Sequence, residues 1–145
     1  MNKSVFNHCV SIIAYSKDHQ IFAGTYAWMM QVGYEEIIGL LGSQSQTGNN
    51  IKKGDIIGVN VCSKEQKEIA TVIGNTHSKE TNKLQNISYK TIGNAILLDN
   101  SKANLVCEVI DIIHLKNIED DNLIYMKIQK MDEDDNKDYL TMADF

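Results

Sequence analysis

The sequence predicts a mostly β protein, a small barrel of one domain over residues 1–145 with two short helical insertions. Three observations carry this. Segments rich in β-branched and aromatic residues recur along most of the chain, separated by polar turns. Only two stretches carry both a helix start and a helix stop. A length of 145 residues fits one domain with a real core, and no linker or internal repeat divides it.

Taken in order, strands are expected at 9–15 (CVSIIAY), 21–32 (IFAGTYAWMMQV) and 36–42 (EIIGLLG). A short helix over 47–54 would begin at Thr47 or Asn49 and stop at Gly54. The strand DIIGVNV (55–61) follows. A second helix over 63–75 starts at Ser63, with Gln66 three positions on as a capping-box partner, and ends before Gly74. Further strands are GNAILLD (93–99), ANLVCEVIDIIHL (103–115) and NLIYMKIQKM (122–131). In the last, Leu123, Tyr125, Lys127 and Gln129 share one face and Ile124, Met126, Ile128 and Lys130 the other. The acidic run MDEDDNKD (131–138) lacks the spacing and glycine of a calcium loop and reads as a solvated turn.

Composition narrows the function. A hydrophobic content of 43% and a charged content of 23% are those of a soluble globular protein. The net charge of −5 argues against sequence-independent nucleic-acid binding. All 14 basic residues are lysines, so any bound phosphate must be held without arginine forks. Cys9, Cys62 and Cys107 lie far apart beside apolar runs, which suits reduced thiols in a reducing compartment. No spanning segment or secretory signal is legible at the N-terminus, and a cytoplasmic protein is expected. His8, His19, His77 and His114 show no zinc spacing, and no nucleophile elbow, Walker A or GxGxxG motif occurs. An enzyme of this composition would borrow its chemistry from a cofactor.

Two stretches stand out. GSQSQTG (42–48) gathers hydroxyls, amides and backbone N–H groups before the expected short helix, an arrangement suited to a phosphate. By itself it reads first as an ordinary polar loop between strands. AGTYAWMM (23–30) joins Gly24, which permits close backbone approach, to Tyr26, Trp28 and two methionines. By itself it reads first as a buried strand with a core tryptophan. Together they suit a flat aromatic ligand that carries a phosphate.

The ordered series GTYAW, QVG, EEIIGLLGSQSQTGNNIKKGDIIGVNV resembles the flavin reductase-like family, the FMN-binding split barrels. In that family a T-x-A/N-W/S strand precedes a strand ending in a Ser/Thr-rich loop. A short helix and an F-x-V-N strand follow, matched here by 57–60. Asn82, Lys83 and Leu84 stand where relatives show Asp-Lys-Phe, and the segments at 94–115 and 122–131 match the strands that come next. The resemblance runs in order over residues 8–131.

What it implies is a Greek-key split barrel that binds FMN. Thr25, Tyr26, Ala27 and Trp28 would lie along the isoalloxazine and ribityl chain, largely through backbone groups. Ser43, Gln44, Ser45 and Thr47 would hold the phosphate and ribityl hydroxyls, with Gln44 and Gln46 where relatives often carry a basic residue. Asn60 would support that wall, and Lys83 would reach the phosphate or a neighbouring subunit. The implied activity is hydride transfer from NAD(P)H to the flavin and on to an acceptor, in a homodimer with flavin near the subunit interface. Two alternatives are a flavoredoxin-like carrier that passes electrons to a redox protein and a non-catalytic dimeric barrel that binds flavin or haem. No catalytic side chain is nominated; His77 is either a substrate-orienting group or a solvated loop residue.

Overall fold

The computed structural model describes residues 4–42, 46–75, 84–115 and 121–145. Nine strands occur among them: β1 (Ser11–Lys17), β2 (Gln20–Tyr26), β3 (Met29–Gln31), β4 (Glu36–Gly42), β5 (Ile56–Val61), β6 (Tyr89–Ile92), β7 (Ala95–Leu98), β8 (Ala103–His114) and β9 (Asp121–Glu133). Two α-helices, α1 (Gln46–Asn49) and α2 (Lys67–Gly74), are joined by 3₁₀ turns at Lys64–Gln66 and Met142–Asp144.

All pairings are antiparallel, in the order β3-β4-β9-β8-β5-β1-β7-β6, with β2 on the other edge of β1. The run expected as one strand over 21–32 closes this sheet on itself. Its first part, β2, pairs with β1, and its second part, β3, pairs with β4. The change of partner falls at Ala27–Trp28, where the run leaves regular strand geometry. The sheet therefore curls into a barrel whose corner is this dipeptide.

Alternation sorts the side chains into two cores. Ile13 and Tyr15 of β1, Phe22 of β2, Ile37 and Leu41 of β4, Ile57 and Val59 of β5, Cys107 of β8 and Ile124 and Met126 of β9 meet inside the barrel. Ile12, Ala14 and Ala23 point the opposite way, onto Ala70 and Ile73 of α2 and onto Leu98 and Leu140. β1 is thus buried on both faces, and each fully buried Ile or Leu contributes about 1.5–3 kcal/mol of apolar transfer. The face pattern expected for β9 holds: Ile124 and Met126 are buried while Lys127 and Gln129 are exposed.

Several expectations need correction. The segment 93–99 is half of a hairpin, with β6 before it and Gly93 at φ +57° in the two-residue turn. The helix expected over 47–54 is one turn, α1, starting at Gln46 rather than at Thr47 or Asn49; residues 50–55 form a turn in which Gly54 adopts φ +91°. Without a run of apolar residues at helical spacing there is nothing to propagate it. The second helix begins as a 3₁₀ turn and runs through Gly74. Its capping box is present: Gln66 Oε1 accepts from the Ser63 backbone N–H at 3.0 Å. The acidic run is not all turn, because β9 continues through Glu133 before the turn begins.

A strap of residues 138–142 crosses the ends of β1 and β5. Val10 N–H donates to Leu140 O at 2.8 Å and Leu140 N–H to Cys62 O at 2.9 Å. Met142 N–H donates to His8 O and Lys64 N–H to Asp138 O, and Lys64 forms an ion pair with Asp144 at 3.0 Å.

Candidate functional site

The corner at Ala27–Trp28 holds Thr25, Tyr26, Ala27 and Trp28 of the nominated residues. Because Ala27 and Trp28 belong to neither ladder, the N–H and C=O of Ala27 and the N–H of Trp28 make no hydrogen bond among the described residues. Only Trp28 O is engaged, accepting from Leu40 N–H at 2.9 Å. That bond keeps the corner beside β4, two residues before that strand ends at Gly42. The Trp28 side chain is 55% exposed, an uncommon position for the chain's only tryptophan.

Tyr26 points inward and packs against the barrel core. Its ring lies over Gly24: a Cβ there would sit 2.5 Å from the Tyr26 hydroxyl oxygen. The missing side chain at Gly24 makes room for Tyr26, not for a ligand. Thr25 points outward against α2, where its hydroxyl donates to Ala70 O at 2.7 Å and its Cβ is in contact range of Gly74. It therefore fixes the end of α2 from which residues 76–83 lead on to Leu84.

The polar groups nominated on the far side are differently placed. Thr47 is 1% exposed, within α1, and its carbonyl accepts the Tyr15 hydroxyl at 2.5 Å. Asn60 is 0% exposed. Its Nδ2 donates to Ile12 O and Ile96 O, both at 3.1 Å, and its Oδ1 accepts from Leu98 N–H at 2.8 Å. It joins β1, β5 and β7 from inside, supporting the wall without facing a ligand. Ser43, Gln44, Ser45, Lys83 and His77 lie outside the described residues.

Sequence reasoning missed the groups that hold α1. Tyr15 and Lys17 share a face of β1; Lys17 Nζ donates to Asn50 O at 2.7 Å and forms an ion pair with Asp55 at 2.8 Å. Burial, with the nearby Tyr26 and Asp55, pushes the Tyr15 phenol far above its ordinary value, so it remains a donor. Burial also raises the thiols of Cys62 and Cys107 to about 12, which leaves them protonated and inert at neutral pH.

A concavity of about 460 Å³ is lined by Met29, Met30 and Gln31 of β3, by His8 and Cys9, and by the core residues Ile37, Val59 and Leu105. Met30, Met131 and Tyr139 at its rim are exposed. No helix is long and apolar enough to cross a membrane among the described residues.

A backbone edge with no partner among the described residues, beside an exposed indole, is a binding arrangement for a flat heterocycle with acceptor atoms on its rim, flavin among them. Comparison with known proteins bears on this. A search of curated proteins finds no significant match. Solved structures match over nearly the whole chain. The NADH:FAD oxidoreductase of Streptomyces globisporus C-1027 superposes with a TM-score of 0.83 at 11% identity, covering 94% of this chain and 81% of that one. The styrene monooxygenase flavin reductase of Pseudomonas putida S12 gives 0.79 at 13%, covering 94% and 86%. An FMN-binding protein of Thermus thermophilus, solved with bound p-hydroxybenzaldehyde, gives 0.82 at 10%, covering 93% and 77%. At these identities the structures establish the barrel fold. The sequence itself matches the flavin reductase like domain over residues 2–144, and the chain belongs to that family.

Proposed function

We propose that this protein is a single-domain FMN-dependent reductase that takes hydride from NAD(P)H and delivers the electrons to an acceptor. The observation that carries the reading is the corner at Ala27–Trp28. Two N–H groups and a carbonyl there have no partner among the described residues, beside an exposed indole, on a family fold whose relatives include an FMN-binding protein. Those backbone groups would hold the polar rim of the isoalloxazine, and Trp28 would cover part of its surface. The side chains of Thr25, Thr47 and Asn60 serve the frame of the site rather than its lining. The phosphate would fall to the loop after Gly42 and to Lys83.

FMN supplies the hydride chemistry when bound, so the protein needs positioning more than acid–base groups. The residues at the corner orient the ring through fixed backbone donors and exclude water from one side with the indole. A homodimer completes the proposal. Exposed Met30, Met131 and Tyr139 around the apolar concavity present a surface that a second copy would cover. The same reading expects a cytoplasmic protein, as its buried reduced thiols suit.

The test is an absorption spectrum of the purified protein with and without FMN, followed by anaerobic NADH and NADPH. Perturbed flavin bands that bleach promptly support the reductase. Bands that bleach only with a protein donor would show an electron carrier. A protein that takes up no flavin overturns both.

A further inference from the structure

Beyond β9, residues 134–145 belong to no strand, and only Leu140 among them is buried. What these residues hold is the arm that enters β1. Ala143 N–H donates to Asn7 Oδ1 at 2.8 Å, Met142 N–H to His8 O at 2.9 Å, and Val10 N–H to Leu140 O at 2.8 Å. Between them, Cys9 and Thr141 face each other in an isolated bridge. Asn7, His8 and Cys9 line the concavity, and so does Tyr139 of the strap itself. One side of the concavity is therefore built by the strap and by residues that the strap holds.

The strap is fastened to one short segment, the 3₁₀ turn before α2 and the first residue of that helix. Lys64 pairs with Asp144 at 3.0 Å, Glu65 pairs with Lys137, and Lys67 Nζ lies 5.6 Å from the centre of the Phe145 ring. Asp144 also accepts from the Thr141 backbone N–H at 2.8 Å, which caps the terminal 3₁₀ turn. Such surface contacts are individually weak. The root of the strap is fixed differently: Asp134 N–H donates to Lys102 O at 2.9 Å and the buried Lys102 donates through Nζ to Asp134 O at 3.1 Å. Lifting residues 138–145 breaks the surface contacts, four backbone hydrogen bonds and the packing of Leu140, but no strand ladder of the sheet. Segments with few buried contacts open locally, ahead of the whole fold. We propose that residues 138–145 act as a clasp: they open as one unit while the barrel stays folded, and opening uncovers Cys9 and releases the wall of the concavity formed by residues 7–9. The inference stands apart from the flavin reading.

Native-state hydrogen exchange followed by NMR tests this in the whole protein, with alkylation of Cys9 by a neutral reagent measured in parallel. The N–H groups of Val10, Lys64, Leu140 and Met142 are expected to exchange as one group, about tenfold or more faster than the amides of β8 and β9. Asp144→Ala removes the Lys64 pair and the cap on Thr141, and should speed that group by about fivefold while β8 and β9 stay unchanged. Cys9 alkylation should rise by the same factor. Exchange of the four amides at the rate of β8 and β9, or an equal quickening of all amides in the variant, would make the strap part of the barrel and overturn the inference. Strap amides quickened with Cys9 alkylation unmoved would overturn it as well, since the opening would then uncover nothing. Should Asp144→Ala not fold, Lys67→Met decides: it changes an exposed side chain, frees the Phe145 ring and should speed the group by about twofold, and no change would refute the clasp.

Discussion

Replacing Asn60 by Leu separates a frame residue from a cofactor ligand. Asn60 lies in the interior and makes three hydrogen bonds to the backbone of β1 and β7, at 3.1, 3.1 and 2.8 Å. Leucine has nearly the same size and leaves no large cavity, so the loss is confined to those bonds and to the backbone groups deprived of partners. At about 0.5–1.5 kcal/mol net per bond, the three together come to about 3 kcal/mol. A domain near this size shifts its midpoint by about 2–4 °C per kcal/mol, which gives a fall of roughly 9 °C. The assay is a thermal melt followed by circular dichroism, with urea unfolding as a check and FMN titration below the transition. FMN affinity is expected to stay within about threefold of wild type, because Asn60 has no exposed surface. A midpoint within about 2 °C of wild type, with FMN binding lost, would refute the reasoning and put Asn60 in the site.

Other expectations follow from the same structure. The β1–β2 turn has only Asp18 and His19, both at positive φ (52° and 66°), where His19 is strained; His19→Gly should raise the midpoint, by about 0.5–1 kcal/mol of stability, and a lowered midpoint would contradict it. Gly58→Ala would place a Cβ 2.1 Å from Ile96 O, a backbone atom that cannot swing aside; a loss of about 2 kcal/mol or more in urea unfolding is expected, and wild-type stability would disprove the close approach. Cys62 and Cys107 should resist a thiol reagent at pH 8 until denaturant is added, leaving Cys9 alone to react, slowly, in the native protein; fast reaction of two thiols would show the barrel opens. Their pKa values are raised from 9.0 to about 12, so the folded state binds the extra protons and the stability they contribute is complete below pH 9. It is then lost as pH rises toward 12, and unfolding curves at pH 8 and pH 10.5 should show the fall.

Most strands were legible because their apolar residues alternate or run on, a signal that needs no knowledge of neighbours. β6 was not. Its residues YKTI are exposed or half-exposed at a sheet edge, so burial left no pattern to read. The corner at Ala27–Trp28 was hidden for another reason: the run stays apolar and aromatic through the change of partner, and only the second sheet edge reveals it. α1 had plausible caps in sequence, but Tyr15 and Lys17, which hold it, come from a strand thirty positions away. At the candidate site, residue types drew attention to the strip 23–30, where the chain changes partner. They did not say which polar atoms were free. Thr25 and Asn60 look available as letters, yet each is bonded to a backbone carbonyl, while the Ala27 main chain has no partner among the described residues.

The strap of residues 138–142 bears on how the molecule is made. β1 finds β2 at once across a two-residue turn, and Val10 O accepts directly from the Cys62 N–H, but the Val10 N–H and the Cys62 carbonyl wait for Leu140. During synthesis the β5 side of the first strand is available for pairing once Val61 has emerged, whereas the Val10 N–H waits until residues beyond 137 leave the ribosome. Contacts of such separation close late and slowly, and an uncovered strand margin invites a neighbouring nascent chain. Expression with a bulky fusion that delays or hinders seating of the strap should raise aggregation of newly made protein more than it lowers the melting temperature of what folds.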